Sequence, residues 1–314
     1  MRIKLNSLAV LTVLSVCISN KAVATTFYDT QITTSGDFQV PLGDIYTNTP
    51  SSGNAGVDIW QSPSITNFNN QGSITSTDSA AVLNEDGSIG TLTNGSLTNS
   101  TQINGLTGIR NGSGGAGTIS TINNYGVITG SATGEGGIVN NNSSSVIGAI
   151  NNYGTIRSTG GSGSYAIGNL GGNITTISNN NAGIITATGV NSYGIFSNGG
   201  SITTIDNAGT ISATGGNGYG IYNYIAGSAS STISLITNQT GATISGIAYG
   251  IYNRKTISTI TNNGTITGGT NGINNASSGV ITTINNNGTI TGGINNQGVI
   301  GTLNNAQNGL NYVN

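Results

Sequence analysis

The chain repeats a short phrase in which apolar residues alternate with Asn, Gly and small polar residues. Self-similarity at a nearly fixed period is typical of repeat architectures, in which each unit buries its apolar side chains against its neighbours. An isoleucine opens the phrase ten times, mostly at intervals of 24 to 31 residues, as Ile65, Ile89, Ile119, Ile147, Ile174, Ile202, Ile233, Ile257, Ile281 and Ile300.

Two further positions of the phrase recur with it. The third residue after the opening isoleucine is always apolar, and seven consecutive phrases have isoleucine there: Ile122, Ile150, Ile177, Ile205, Ile236, Ile260 and Ile284. The fifth residue is Asn in all ten phrases, and the same seven contain Asn124, Asn152, Asn179, Asn207, Asn238, Asn262 and Asn286. We expect the isoleucines to form a core stack and the asparagines to form a ladder of side-chain amides along one edge.

Two other phrases complete each unit, namely Gly-x-Ile, as in Gly126-Val127-Ile128, and Ile-x-Asn, as in Ile221-Tyr222-Asn223. Such short runs, rich in β-branched residues and without helical spacing, predict strands. Asn and Gly tolerate positive φ, so we expect them at sharp corners. The pattern predicts an all-β fold: a single-stranded parallel β-helix, or β-solenoid, of about ten coils of roughly 24–31 residues with three short strands per coil.

The N-terminus has the features of an export signal. Arg2 and Lys4 precede an apolar run at positions 8–18, and Ala22-Val23-Ala24 matches a small-x-small cleavage site. We therefore expect residues 1–24 to be a signal peptide. A lipoprotein is the alternative, because Leu14-Ser15-Val16-Cys17 resembles a lipid-attachment box, although Val16 stands where a small residue is usual.

Residues 25–64 do not follow the repeat and contain all three prolines and the only tryptophan. Because a solenoid leaves unpaired strand edges at its ends, we interpret 25–64 as an N-terminal cap. Residues 65–314 are the predicted parallel β-helix repeats. The last phrase stops short at Asn314, so we expect the natural polypeptide to continue beyond this C-terminus.

The ionisable residues limit the chemistry. Cleavage after Ala24 removes the only cysteine and leaves four of seven basic residues against nine acidic ones, a net charge of −5. Clustered Lys and Arg are needed for phosphate contacts, so nucleic acid is not an expected partner. The sequence has no His, which excludes Ser-His-Asp and Cys-His catalysis and the usual zinc sites. We expect no enzyme activity, no catalytic residue, no metal site and no cofactor.

Aromatic residues recur in the Ile-x-Asn phrases of three consecutive units. Six of them define a possible ligand patch: Tyr193, Phe196, Tyr219, Tyr222, Tyr249 and Tyr252. The residue after the inward isoleucine should point outward, so these rings could contact sugars or protein surfaces. The alternative is that the stacked rings only stabilise one face of the solenoid.

Together, the export signal, the cap and the Ile-x-x-Ile-x-Asn coils resemble autotransporter passenger domains of Gram-negative bacteria, over about 25–314. This resemblance implies export to the cell surface or the extracellular space, association with the outer membrane, and a role as an adhesin or surface interaction scaffold. Its partner would be a glycan or protein on a host or neighbouring cell. The family also uses a C-terminal outer-membrane translocation barrel, and nothing past residue 281 has the expected strand pattern.

Two alternatives to a surface scaffold remain. The first is a carbohydrate-active β-helix enzyme, which needs paired carboxylates, whereas only Glu135 and Asp206 are acidic beyond Asp86. The second is an ice-binding solenoid with flat threonine columns, for which Thr175-Thr176 and Thr203-Thr204 are partial evidence. A thermal-hysteresis assay distinguishes the second alternative from a surface scaffold.

Overall fold

The computed structural model describes residues 24–99, 101–224 and 230–306. The predicted signal peptide lies, apart from Ala24, outside the described residues. Every secondary-structure element among the described residues is a strand, and each coil contributes one strand to each of three sheets. No helix in this part of the chain is long and apolar enough to cross a membrane.

The three sheets are parallel, and neighbouring strands within a sheet come from consecutive coils. Sheet 1 consists of β1 (Thr26–Tyr28), β4 (Ile45–Thr47), β7 (Ser73–Thr75), β10 (Gln102–Gly105), β13 (Val127–Gly130), β16 (Thr155–Ser158), β19 (Ile184–Ala187), β22 (Thr210–Ala213), β25 (Thr243–Gly246), β28 (Thr265–Gly268) and β31 (Thr289–Thr291).

The Ile-x-Asn phrases lie in the second sheet. Sheet 2 consists of β2 (Thr30–Ile32), β5 (Val57–Ile59), β8 (Ala80–Asn84), β11 (Thr107–Asn111), β14 (Gly136–Asn140), β17 (Tyr165–Asn169), β20 (Tyr193–Asn198), β23 (Tyr219–Tyr224), β26 (Tyr249–Asn253), β29 (Asn271–Asn275) and β32 (Ile294–Asn296).

The opening phrases lie in the third sheet, which has the longest strands. Sheet 3 consists of β3 (Gly36–Val40), β6 (Ser64–Asn70), β9 (Ser88–Asn94), β12 (Thr118–Asn124), β15 (Val146–Asn152), β18 (Asn173–Asn179), β21 (Gly200–Asn207), β24 (Ser231–Asn238), β27 (Thr256–Asn262), β30 (Val280–Asn286) and β33 (Val299–Asn305).

The predicted fold class is confirmed: the protein is an all-β parallel β-solenoid with three strands per coil. Within the described ranges each sheet has eleven strands, whereas the sequence predicted about ten coils. The ten opening phrases correspond to β6 and the nine strands that follow it in sheet 3. The additional strand is β3, whose sequence lacks the phrase but pairs in parallel with β6.

Residues 25–64, interpreted as a cap, contain β1 to β5 and the first residue of β6, and they extend all three sheets. Beside buried Val40, Val57 and Ile59, they place aromatic rings in columns where later coils have leucine or isoleucine. Phe38 lies 4.9 Å from Phe68 and 5.5 Å from Tyr46, and Tyr46 stacks on Phe27 at 4.5 Å, measured between ring centroids. The terminal coil therefore closes with larger side chains than the repeats use.

The core is a set of isoleucine columns running along the solenoid axis. Ile122, Ile150, Ile177 and Ile205 pair in register on successive strands of sheet 3 and are completely buried. The columns continue through the other predicted core-stack residues, which are also completely buried: Ile236, Ile260 and Ile284. Burying one isoleucine side chain contributes roughly 1.5–3 kcal/mol, so each column stabilises every pair of neighbouring coils.

The role expected of glycine at sharp corners holds for glycines such as Gly112 and Gly241, whose φ is positive, but not for the glycines of the repeated phrase. The glycines of the Gly-x-Ile phrase are not among the residues with positive φ. Instead, a Cβ atom at Gly126 would lie 2.1 Å from the Thr101 carbonyl oxygen, and one at Gly154 would lie 2.2 Å from the Gly126 carbonyl oxygen. Glycine is required there because the backbones of successive coils approach too closely for any side chain.

The ladder asparagines likewise do not adopt positive φ, which occurs among the described non-glycine residues only at Asp29, Ser51, Gln61, Ser62, Asn191 and Asn217. From the sequence we expected these asparagines both to form a ladder of side-chain amides and to turn the chain sharply, and only the second expectation fails. They lie instead at strand ends in ordinary extended conformation, so their side chains must explain their recurrence.

The packing of sheet 3 leads to a first prediction. Ile205→Asp places a charge between Ile177 and Ile236, where no water can solvate it. We expect a loss of unfolding free energy above about 3 kcal/mol, measured by urea denaturation. Thr210→Asp is the control, because Thr210 is half-exposed on sheet 1 and the change there should cost about 0.5 kcal/mol or less. Equal losses at the two positions would contradict the inward assignment.

Candidate functional site

A ladder of asparagine side chains runs along the end of sheet 3. The Nδ2 atom of each asparagine donates to the Oδ1 atom of the next at 2.7–2.9 Å, without interruption through Asn70, Asn94, Asn124, Asn152, Asn179, Asn207, Asn238, Asn262, Asn286 and Asn305. All but the last are essentially inaccessible to solvent. The seven predicted ladder residues are therefore joined in one continuous hydrogen-bonded column.

Most ladder amides also bond a backbone carbonyl of the next coil, and Asn124, Asn179 and Asn238 bond the backbone of two coils. Asn179 Nδ2, for example, reaches the carbonyl oxygens of Gly183 at 3.0 Å and Thr210 at 3.1 Å, besides Oδ1 of Asn207. Corner carbonyls that water cannot reach thus find a donor in the side chain. Aspartate and leucine have the size of asparagine but cannot donate these bonds, which explains why the position is invariably Asn.

A second asparagine ladder follows the end of sheet 2. Its residues are the asparagines of the Ile-x-Asn phrase, which the sequence analysis identified without predicting that their side chains bond one another. Its Nδ2-to-Oδ1 distances are 2.8–3.0 Å, within Asn84, Asn111, Asn140 and Asn169 and again within Asn223, Asn253, Asn275 and Asn296. The gap is at Ser197, which pairs in register with Asn169 and Asn223. Ser231 Oγ donates to Asn223 Oδ1 and lies 2.8 Å from Ser197 Oγ, so two hydroxyls replace one amide.

The six residues predicted as a ligand patch lie together on the outer surface of sheet 2, and we call them the aromatic surface. Tyr193, Tyr219 and Tyr249 pair in register, as do Phe196, Tyr222 and Tyr252. Neighbouring ring centroids along and between these columns are 4.8–5.6 Å apart. The structure therefore brings all six rings into one continuous cluster.

The glycine between the two columns explains why both face outward. A Cβ atom at Gly194 would lie 2.9 Å from Cγ2 of Ile211, and Gly220 and Gly250 meet Ile244 and Ile266 in the same way. This glycine and the following isoleucine both face inward, so the usual alternation of inward and outward side chains along the strand is broken at one residue. The tyrosine before the glycine and the aromatic residue after the isoleucine consequently share the outer face.

The rings of the aromatic surface pack mainly against one another. Tyr249 stacks on Tyr252 at an interplanar angle of 16°, and Tyr222 on Tyr252 at 30°. Tyr222 is only 7% exposed and the other five are half-buried. Burial raises the pKa of the Tyr193, Tyr219 and Tyr222 hydroxyls. Ring edges and neutral hydroxyl groups, more than open ring faces, are thus available to a partner.

Two neighbours of the aromatic surface were missed by the sequence argument. Tyr224 stacks on Tyr222 at 5.2 Å, and the Arg254 guanidinium lies 5.1 Å from the centre of the Tyr224 ring. The run Tyr219-Gly220-Ile221-Tyr222-Asn223-Tyr224 was the available signal. On the other side, Tyr165 is 3% exposed and its ring occupies the space beside Gly136 and Gly168, where a Cβ atom would collide with it.

The same outer column of sheet 2 is acidic near the N-terminus. Asp58 pairs in register with Leu83, and its Oδ1 atom is buried without a hydrogen-bond partner among the described residues. Burial, together with the nearby charges of Glu85 and Asp86, raises the pKa of Asp58 to about 6, although a hydrogen bond with Gln31 opposes the shift. Within the described ranges, no three His, Cys, Asp or Glu residues lie close enough to hold a metal ion.

The threonine columns considered for ice binding are interrupted on sheet 3. Thr176 pairs with Thr204, but Ala149 precedes them and Leu235 follows them in the same outer column. Tyr125 and Tyr153, which stack at 4.8 Å and 8° beside the first asparagine ladder, form a separate aromatic pair outside the aromatic surface.

Comparisons with protein-family models, with curated proteins and with solved structures find no match to this chain.

The first asparagine ladder generates a prediction. Asn207→Ala removes one of three acceptors of the Asn179 amide and the side-chain donor to Asn238 and to the Thr243 carbonyl inside the solenoid. Each buried polar group that loses its partner costs about 1–3 kcal/mol, so we expect the urea midpoint to fall clearly. Asn287→Ala is the matched control, because Asn287 is exposed and its side chain bonds only the Asn263 side chain among the described residues. Similar midpoints for the two variants would argue against a stabilising ladder.

The raised pKa of Asp58 generates a prediction about pH. Below about pH 3.8 this carboxyl is protonated whether the chain is folded or not, so it does not affect stability. Between about pH 3.8 and 6 the unfolded chain ionises this carboxyl while the folded protein still holds its proton, so stability falls over this range and stays lower above it. Asp58→Asn should therefore melt at a higher temperature than the parent at about pH 8 and at the same temperature at about pH 3.5. A pH-independent difference would contradict the burial argument.

Proposed function

We propose that the protein is a non-enzymatic, exported β-solenoid that acts as an adhesin or interaction scaffold at the cell surface, in the manner of an autotransporter passenger. The observation that carries the proposal is the aromatic surface, a cluster of six rings on one outer face. Singly exposed apolar residues are ordinary on a protein surface, whereas a contiguous cluster is typical of an interaction site. Its partner is a glycan or protein on a host or neighbouring cell.

Three properties of the chain support a scaffold. The isoleucine columns and the first asparagine ladder bind successive coils without interruption from Asn70 to Asn305, and the second ladder adds to them on either side of Ser197, which makes the solenoid a stiff support. Only 5% of the residues are charged, so the outer faces attract few counter-ions. The net charge of −5 after removal of residues 1–24 disfavours nucleic acid as a partner.

Export and surface location are parts of the same proposal. They depend on the sequence pattern of residues 1–24 and on the resemblance of the coils to passenger domains, for which outer-membrane transport is typical. The chemistry of the aromatic surface fits such a location. Neutral hydroxyls and ring edges can bind hydroxyl-rich or weakly polar surfaces without depending on ionic strength.

A bead-adhesion assay tests the role of the aromatic surface. Beads coated with the full chain are incubated with cultured epithelial cells and with immobilised mucin, fibronectin and laminin. We expect retention on at least one of these, and at least about tenfold weaker binding by the triple variant Tyr193→Ser, Tyr219→Ser, Tyr249→Ser, since aromatic anchors dominate interface energies.

The control is the double variant Tyr125→Ser, Tyr153→Ser, which removes stacked tyrosines from a different face. It should bind as the parent does. No retention on any surface, or equal losses in the triple variant and the control, would sink the proposed function.

A further inference from the structure

A cleft of about 270 Å³ opens on the outer face of sheet 2, toward the N-terminal end from the aromatic surface. Arg110, on β11, lines it and pairs in register with Leu83 of the preceding coil. Glu135 reaches the cleft from the residue before β14. Leu106 and Ala132 line it from the turns between sheet 1 and sheet 2.

The polar groups of the cleft are fixed by one another. Arg110 Nη2 lies 2.5 Å from Glu135 Oε1 and donates to the Thr107 hydroxyl at 3.2 Å. That hydroxyl in turn donates to Glu135 Oε2 at 2.9 Å. Both side chains of the ion pair are less than one-third exposed. A ligand would therefore meet a donor and an acceptor that are already oriented, which lowers the entropic cost of binding.

The Arg110 guanidinium has more N–H groups than its contacts in the cleft use. Arginine carries five N–H groups. The contacts of Arg110 within the described residues are made by Nη2 alone, which leaves its other nitrogens for a ligand. The Glu135 oxygens retain lone pairs beside the same space. An ion pair that only joined two coils would need no open volume next to it.

Charge restricts what the cleft can take. Its lining has two carboxylates, Asp78 and Glu135, and one cation, Arg110, so an anionic ligand is repelled. A metal ion also fits poorly, because Glu135 is already paired and Asp78 accepts hydrogen bonds from the Asn48 side-chain amide and the Gly53 backbone N–H. A neutral ligand with several hydroxyls is compatible both with the net negative charge of the lining and with carboxylates that already have hydrogen-bond partners.

The apolar part of the cleft lining also suits a ligand with several hydroxyls, such as a sugar. Leu83 and Leu106 give the cleft apolar surface beside the ion pair, as the C–H faces of a sugar ring require. The volume of about 270 Å³ lies just below the usual range for drug-sized ligands, roughly 300–1,000 Å³, and suits one or two sugar rings.

We infer that this cleft binds a neutral hexose unit of a glycan, with a vicinal pair of ring hydroxyls bridging Arg110 and Glu135. One hydroxyl accepts from the guanidinium and its neighbour donates to the carboxylate, while the ring lies against the leucines. The site is separate from the aromatic surface, and it binds its ligand without chemical change.

Saturation-transfer NMR on the full chain tests the inference with defined probes: the methyl glycosides of glucose, galactose and mannose. We expect saturable binding of at least one of them with a Kd of about 1–10 mM, as a single sugar ring making few contacts allows. Glucuronate should bind at least about tenfold more weakly than the methyl glucoside if glucose is the preferred ring, since its carboxylate meets the negative charge of the cleft.

Two variants locate the site. Arg110→Gln removes the donors, and Ala132→Phe fills the cleft while leaving the ion pair in place; each should weaken binding at least about tenfold. Arg157→Gln is the matched control, because Arg157 lies on sheet 1 and bonds Thr129 there. Ala132→Phe remains informative even where Arg110→Gln loosens the coil.

No saturable signal with any of the three glycosides, or binding that survives unchanged in both cleft variants, would overturn the inference. The aromatic triple variant should bind the glycosides as the parent does, and its loss of cell adhesion is measured separately. A negative result for sugar binding in the cleft can therefore be distinguished from a negative result for the proposed adhesive function.

Discussion

The whole structure depends on stacking in register. One coil can neither bury its isoleucines nor satisfy its asparagine amides, because the partners for both lie in the coils on either side. Ile205 needs Ile177 and Ile236, and Asn207 needs Asn179 and Asn238. The apolar column and the amide column therefore impose the same register, and a shift of one strand by one residue would disrupt both at once.

Fixed interior columns leave the outer face free to vary. On sheet 2 the outward column changes from Asp58 through Leu83 and Arg110 to the aromatic residues, while the inward isoleucine and the terminal Asn recur beneath it. Where the terminal Asn is replaced at Ser197, two hydroxyls reach Asn223 on one side, and the Asn169 amide on the other side bonds backbone carbonyls of Gly199 and Ser201 instead. The proposed contacts with a partner thus lie on a face whose side chains the fold does not dictate.

Much of this fold was predictable because the repeat aligns equivalent residues. The position of every opening isoleucine and ladder asparagine along the sequence identifies a buried column. The close approach that requires Gly126 was not predictable, since it depends on the distance between two backbones. Nor was the Arg110–Glu135 pair, whose members belong to different coils and different phrases. The shared outer face of Tyr193 and Phe196 depends on Gly194 facing inward, which simple alternation does not anticipate.

The most direct test of in-register stacking is the hydrogen exchange of asparagine side-chain amides, followed by NMR on protein labelled with nitrogen-15 at asparagine. Buried ladders predict two classes of NH2 groups at neutral pH. Those of ladder members such as Asn152 and Asn179 should remain unexchanged for hours, whereas exposed ones such as Asn287 should exchange at the rate of a free amide. A single class, in which all asparagine side chains exchange at the free rate, would contradict the account.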